Sequence, residues 1–176
     1  MMDLKSVIRE VPDFPKKGIL FFDVSTLFQN AKALDEACEA IAGHFRRRGV
    51  DVVAGIESRG FVVGSIVANK LGAGFVMLRK PGKLPYKTVC ASYSLEYGSN
   101  TLCMHVDAVK PGQKVLLVDD LLATGGTLKA ARELVEGQGG KVLGSGVIVE
   151  LDFLPGRKTL EPMEVFSLVH YASEKM

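Results

Sequence analysis

The spacing of apolar positions changes character near residue 50. Before it, the pattern is helical: Leu4, Val7, Ile8 and Val11 recur at i, i+3, i+4 and i+7, which predicts a short amphipathic helix ended by Pro12. Leu34, Ala37, Cys38, Ile41 and Phe45 predict one face of a second helix, stopped by Arg46-Arg47-Arg48 and Gly49. ILFFDVSTLF (19–28) stands between them, after a stretch from Pro12 to Gly18 punctuated by Pro and Gly. Beyond residue 50, short unbroken apolar runs alternate with helical stretches: VDVVAG, a helix over about 61–71, then GFVMLR. Such runs, flanked by helices, mark parallel strands covered on both faces. Residues 88–106, TVCASYSLEYGSNTLCMHV, break that rhythm and predict two strands about a Tyr97-Gly98-Ser99-Asn100 turn. Pro111-Gly112 then turns into KVLLVDD (114–120), a glycine-containing loop, a helix to about Glu136, KVLGSGVIVEL (141–151) and a last strand near VFSLV (165–169). The expected fold class is α/β, a mainly parallel twisted sheet flanked by helices. With 176 residues and no linker or repeat, one domain over 1–176 is expected.

Composition adds exclusions. At 47% hydrophobic and 24% charged the chain is ordinary globular protein, not a disordered one. Its 22 Lys+Arg nearly cancel 20 Asp+Glu, leaving +2, so the overall charge attracts neither nucleic acid nor an anionic membrane. The most membrane-like stretch, Gly60 to Leu78, is interrupted by Asn69-Lys70, Gly72 and Gly74, which suits a buried helix and strand. The N-terminus lacks the apolar core of a signal peptide and carries Asp3 and Glu10, so a cytoplasmic setting is expected. Cys38, Cys90 and Cys103 form no C-x-x-C, and their odd number argues against a disulfide framework. His44, His105 and His170 stand apart in sequence, and no metal cage held by the protein is expected.

Chemistry concentrates in residues 115–127, VLLVDDLLATGGT, where an apolar strand ends in two carboxylates and a loop of small residues opens a helix. Ala123, Thr124, Gly125, Gly126 and Thr127 can turn tightly, and amides at a helix N-terminus present partial positive charge to a phosphate. Thr124 and Thr127 add hydroxyls. Asp119 and Asp120 lie at the strand edge where open α/β sheets bind ligands and can accept hydrogen bonds from sugar hydroxyls. A phosphorylated ribose is the implied ligand. No P-loop and no G-x-G-x-x-G after a strand competes for the phosphate.

These thirteen residues resemble the signature of the type I phosphoribosyltransferases, which bind phosphoribosyl pyrophosphate (PRPP). Phe14-Pro-Lys-Lys-Gly-Ile-Leu-Phe-Phe-Asp-Val, Glu57-Ser-Arg-Gly-Phe, Arg79-Lys-Pro-Gly-Lys-Leu-Pro and Ala91-Ser-Tyr-Ser-Leu-Glu-Tyr-Gly resemble the adenine phosphoribosyltransferase family, and the likeness runs over nearly the whole chain. It implies that adenine N9 is joined to C1′ of PRPP with loss of pyrophosphate, giving AMP in purine salvage. It also implies a small hood over the base (residues 1–30), a basic loop with a lid hairpin (79–106), and a homodimer. By the same likeness Glu57, Ser58 and Arg59 serve the pyrophosphate, often through a non-proline cis peptide, as do Arg79, Lys80 and Lys83. Arg79 is the first choice, because guanidinium suits paired oxygens. Glu96 is the implied acid/base near adenine N7, Tyr97 its neighbour on the lid, and Leu20, Phe21 and Phe22 the adenine-binding segment. Mg²⁺ is expected to arrive on PRPP, with no ligand cage from the protein.

Two departures stand out: Glu57 where Asp is common, and Phe22 where the family pattern has Arg. Phe22 either stacks on the base or belongs to the core. It keeps open a second reading, a transferase for hypoxanthine, guanine or xanthine. A third is a PRPP-binding regulator without catalysis, although the roughly twelve residues before Pro12 are too few for a helix-turn-helix.

Overall fold

The computed structural model describes residues 2–95 and 98–173. Its N-terminal part is a 3-10 turn (Leu4–Val7), an antiparallel ribbon of β1 (Arg9–Pro12) and β2 (Leu20–Asp23), and the short helix α1 (Ser25–Gln29). This corrects the helix expected over residues 4–11. Asp3 caps the turn by accepting from the Lys5 amide at 3.1 Å, Ile8 leaves it extended, and Val11 pairs with Phe21 across the ribbon. Eight residues cannot sustain a helix by local bonds alone, and pairing with a distant strand wins. The second helix is as expected: α2 (Ala31–Phe45) starts at Asn30, whose side chain accepts from the Ala33 amide, buries Ala37, Cys38, Ile41 and Phe45, and leads through a 3-10 turn at Arg46–Arg48 to Gly49.

From there the chain builds β3 (Val52–Ile56), α3 (Gly60–Leu71), β4 (Gly74–Leu78), β5 (Thr88–Leu95), β6 (Gly98–His105), β7 (Lys114–Leu122), α4 (Gly126–Gly137), β8 (Lys141–Leu151), α5 (Gly156–Leu160) and β9 (Val165–Tyr171). Five strands make one wholly parallel sheet, ordered β4-β3-β7-β8-β9. Val53, Leu116 and Val118 pack on one face with α2 and α3. Val52, Ala54, Ile56, Val115 and Leu117 pack on the other with Leu128, Ala131 and Val135 of α4. Alternate side chains are thus buried on opposite faces, which is why these strands read as unbroken apolar runs. No described helix is long and apolar enough to cross a membrane.

The hairpin β5–β6 stands outside the sheet and meets it through Arg79, which exchanges backbone hydrogen bonds with Cys103 at 2.9 and 2.7 Å. Its register pairs Leu95 with Gly98, so Gly98, Ser99 and Asn100 belong to β6 and not to a turn. The same register sets Cys90 opposite Cys103, and they form a disulfide, correcting the expectation drawn from an odd cysteine count. The odd thiol is Cys38, enclosed by α2 and α3, where burial pushes it up to about 12.

The strand order places a topological switch between β3 and β7. The chain leaves β3 through α3 toward β4 and leaves β7 through α4 toward β8, in opposite directions. Loops diverging from neighbouring strands leave a crevice beyond their carboxyl ends.

Candidate active site

That crevice is a cavity of about 450 Å³. One wall is the end of β3, where Glu57 and Ser58 are joined by a cis peptide and Arg59 opens α3. The other is β7 beyond Val118, where pairing with β3 stops while pairing with β8 continues. Asp119 and Asp120 stand on this freed stretch, and both line the cavity. The walls approach closely because Gly60 has no side chain: a Cβ there would lie 2.9 Å from the Val118 carbonyl oxygen and 3.0 Å from Asp119 Oδ1.

Both carboxylates are buried, and Asp119 Oδ1 accepts from the Asp120 amide at 2.9 Å. Burial, and then the charge of Asp120, hold the Asp119 carboxyl well above the usual carboxylate range. Arg59 Nε comes within 2.6 Å of Asp120 Oδ2, yet no aligned hydrogen-bond donor serves that oxygen. The pair therefore offers acceptor capacity that the protein itself leaves unfilled.

Next to it, Ala123, Thr124 and Gly125 lead into α4, with Gly125 left-handed (φ 87°) at the N-cap. A Cβ on Gly125 would lie 2.8 Å from the Gly156 carbonyl oxygen, and one on Gly156 would lie 2.2 Å from that of Ala123. The two glycines thus let α5 support the loop from beneath. The N-terminus of α4 borders the cavity, and the first-turn amides of a helix, which lack partners within it, can receive an anion.

Ten of the residues singled out in the sequence line this cavity: Glu57, Ser58, Arg59, Lys80, Asp119, Asp120, Ala123, Thr124, Gly125 and Thr127. Gly126 starts α4 outside the lining. Arg79 is turned aside, giving Nε and Nη2 to Glu57 at 3.2 and 3.1 Å and Nη1 to the Lys83 carbonyl at 3.0 Å, while the Lys80 amide also donates to Glu57 at 3.0 Å. The Arg79 guanidinium holds the Glu57 carboxyl below its usual range. Glu57 thereby ties the basic loop to the end of β3. Lys83 contributes its backbone to this tie and does not line the cavity.

The segment Leu20–Phe22 lies beside the cavity, not in its lining. Phe22 is a core residue, 1% exposed and stacked on Tyr171 at 3.7 Å, which decides between the two roles left open for its ring. Phe21 packs edge-on to Phe14 at 5.0 Å and lies 5.3 Å from the Arg59 guanidinium carbon, so it adjoins the cavity rim. Glu96 and Tyr97 lie outside the described residues.

Tyr93 and Asn100 of the hairpin also line the cavity and were not singled out. Their signal is visible only once the register places them opposite each other on one face. Two of the three histidines have acidic neighbours: His44 meets Glu164 at 2.7 Å and His170 meets Asp152 at 2.8 Å.

A phosphoribosyl transferase domain profile matches residues 23–169. The adenine phosphoribosyltransferase of Acidobacterium capsulatum is 52% identical over 169 residues, covering 96% of this chain and 93% of its own. The crystal structure of adenine phosphoribosyltransferase from Thermoanaerobacter pseudethanolicus superposes with a TM-score of 0.93 at 48% identity, covering 96% of this chain and 98% of that one. The Saccharomyces cerevisiae enzyme, solved with a dideoxy-imino-altritol bisphosphate and adenine, gives 0.89 at 40% identity over 94% and 96% of the two chains. With the acidic pair and the Thr/Gly loop at the switch of a parallel sheet, and likeness of this extent, the chain belongs to the phosphoribosyl transferase family, in its adenine phosphoribosyltransferase group.

Proposed function

We propose that the protein transfers the phosphoribosyl group of PRPP to N9 of adenine, releasing pyrophosphate and forming AMP. The observation that carries this reading is the convergence, in one crevice, of a Thr/Gly loop at a helix N-terminus, two buried carboxylates with spare acceptor capacity, and cations from two further segments. The names of the relatives supply the base. The chain acts as one domain, with residues 1–30 as hood and 79–106 as lid.

Ala123 to Thr127 hold the 5′-phosphate through backbone amides and the Thr124 hydroxyl, and Asp119 and Asp120 accept from the ribose hydroxyls. Arg59 and Lys80, with the Glu57-Ser58 backbone, receive the pyrophosphate, while Arg79 and Lys83 lie on the same loop as Lys80. Pyrophosphate competes with Asp120 for Arg59, so substrate entry exchanges one anion for another. Leu20 and Phe22 offer backbone groups to the base and Phe21 an aromatic surface. In the reaction the bond from C1′ to the pyrophosphate oxygen breaks with its electron pair, the N9 lone pair of adenine forms the N9–C1′ bond, and the proton that the imidazole ring carries on N7 passes to a base, for which Glu96 is the proposed acceptor. Tyr97 is the proposed lid neighbour that helps exclude water. Mg²⁺ suits this site as the companion of PRPP, since the buried Asp120 oxygen without an aligned donor is the hard ligand such an ion takes, directly or through water. It supplies charge neutralisation on the phosphates.

A homodimer is part of the proposal. So is the cytoplasm, because PRPP is too heavily charged to cross a bilayer unaided. Pyrophosphate release from Mg²⁺-PRPP, with adenine, hypoxanthine, guanine or xanthine in parallel and the product identified by mass, tests the assignment. Release with adenine and formation of AMP is the expected result; activity confined to an oxopurine, or none with any base, contradicts it.

A further inference from the structure

Tyr93 is absent from every role assigned above, yet its position is specific. Its ring packs with Val89 and Ala91 on the same cluster as Leu102 and Met104, which fixes it from the hairpin side. Its hydroxyl reaches across to α4, where Thr127 Oγ1 donates to it at 3.1 Å. Thr127 spends its only hydroxyl proton in that bond. The Tyr93 proton is then the free one, and it has no acceptor among the described residues. It stands at the cavity wall, beside the first turn of α4, with Asn100 next to it on the same hairpin face. An O–H already accepting a hydrogen bond is a better donor in turn, and an anion at the helix N-terminus is the acceptor within reach.

We propose that Tyr93 is a substrate-binding residue whose hydroxyl donates to the 5′-phosphate of PRPP, making the hairpin a wall of the phosphate site as well as a lid. This rests on the proposed function and adds a residue to it. A tyrosine here also discriminates: a ribose lacking the phosphate leaves the hydroxyl without its partner, whereas adenine is untouched by it.

The test is calorimetric titration with ribose 5-phosphate, free ribose and adenine of the wild type and Tyr93→Phe, which keeps the ring and its packing. Loss of one hydrogen bond to a charged group predicts that ribose 5-phosphate binds about tenfold more weakly, with adenine and ribose unchanged. The ring-carbon NMR signal of Tyr93 in the wild type, expected to shift on addition of ribose 5-phosphate and not of ribose, decides the matter if the Phe variant does not fold. Binding of ribose 5-phosphate by Tyr93→Phe within twofold of the wild type, or a Tyr93 signal that ribose 5-phosphate leaves unmoved, overturns the role of Tyr93 alone. Failure of the wild type to bind ribose 5-phosphate overturns the proposed function, and the role of Tyr93 with it.

Discussion

Two buried acidic sites stand on adjacent strands of the same sheet, and their electrostatics are opposite. On β8, burial pushes the Glu150 carboxyl up, but Arg157 and Ser167 outweigh it and hold the group below its usual range. Arg157 reaches Glu150 with Nε at 2.9 Å and the Val165 carbonyl with Nη1 at 3.1 Å, so the charge is matched and α5 is fastened to the sheet. On β7, Asp119 and Asp120 are buried next to each other, and the ion pair seen there among the described residues is that of Asp120 with Arg59. Burial alone does not mark a functional carboxylate. What distinguishes β7 is a charge requirement that the fold leaves unmet, which a ligand can meet. The nearby Glu150, Asp152 and His170 could be taken for a metal site by spacing, but Glu150 is already occupied by Arg157.

Breaking the satisfied site produces the largest effect. Arg157→Met strands Glu150 in the interior and lowers unfolding stability by about 3 kcal/mol, toward the low end for a buried pair because the guanidinium is half exposed. Chemical denaturation measures this. Asp120→Asn does the reverse: the fold survives with its melting point nearly unchanged, while kcat/KM for PRPP falls about a hundredfold, or ~2.7 kcal/mol of transition-state binding. Gly156→Ala sharpens the contrast from beneath, since its Cβ would meet the Ala123 carbonyl oxygen at 2.2 Å. The loop must shift, and KM for PRPP rises about tenfold with kcat less affected, as steady-state kinetics would show.

The smallest effect is on pH dependence, where the two sites have opposite signs. The folded pKa of Asp119 lies above its unfolded value, so its contribution to stability is full below about pH 3.8 and is lost as pH rises toward the folded pKa. Asp119→Asn therefore stabilises the protein at pH 7.5 and does so less at pH 4.5. Glu150 is depressed, so its contribution is present above its unfolded pKa and is lost as pH falls through the folded one. Glu150→Gln destabilises at neutral pH and converges with the wild type in acid. Urea midpoints at the two pH values separate these responses.

The β7 site was legible because strand, carboxylates and loop are contiguous, and each residue type has a local reason to be there. What was illegible depends on distant partners. Val11 belongs to a strand because Phe21 pairs with it, and Cys90 meets Cys103 only through the hairpin register. Arg79 pointed to pyrophosphate by charge, but Glu57, 22 residues earlier, claims its guanidinium. The ring of Phe22 was ambiguous until Tyr171, near the C-terminus, covered it. Asp119 and Asp120 could be named from sequence, whereas their lack of a full partner required the fold.

The most direct test of that unmet charge is calorimetric titration of Mg²⁺-PRPP, without any base, into the wild type, Asp120→Asn and Arg157→Met. One binding event per chain in the wild type, strongly weakened in Asp120→Asn and retained by folded Arg157→Met, is the predicted result. Equal binding to wild type and Asp120→Asn would contradict the assignment of the acidic pair to PRPP.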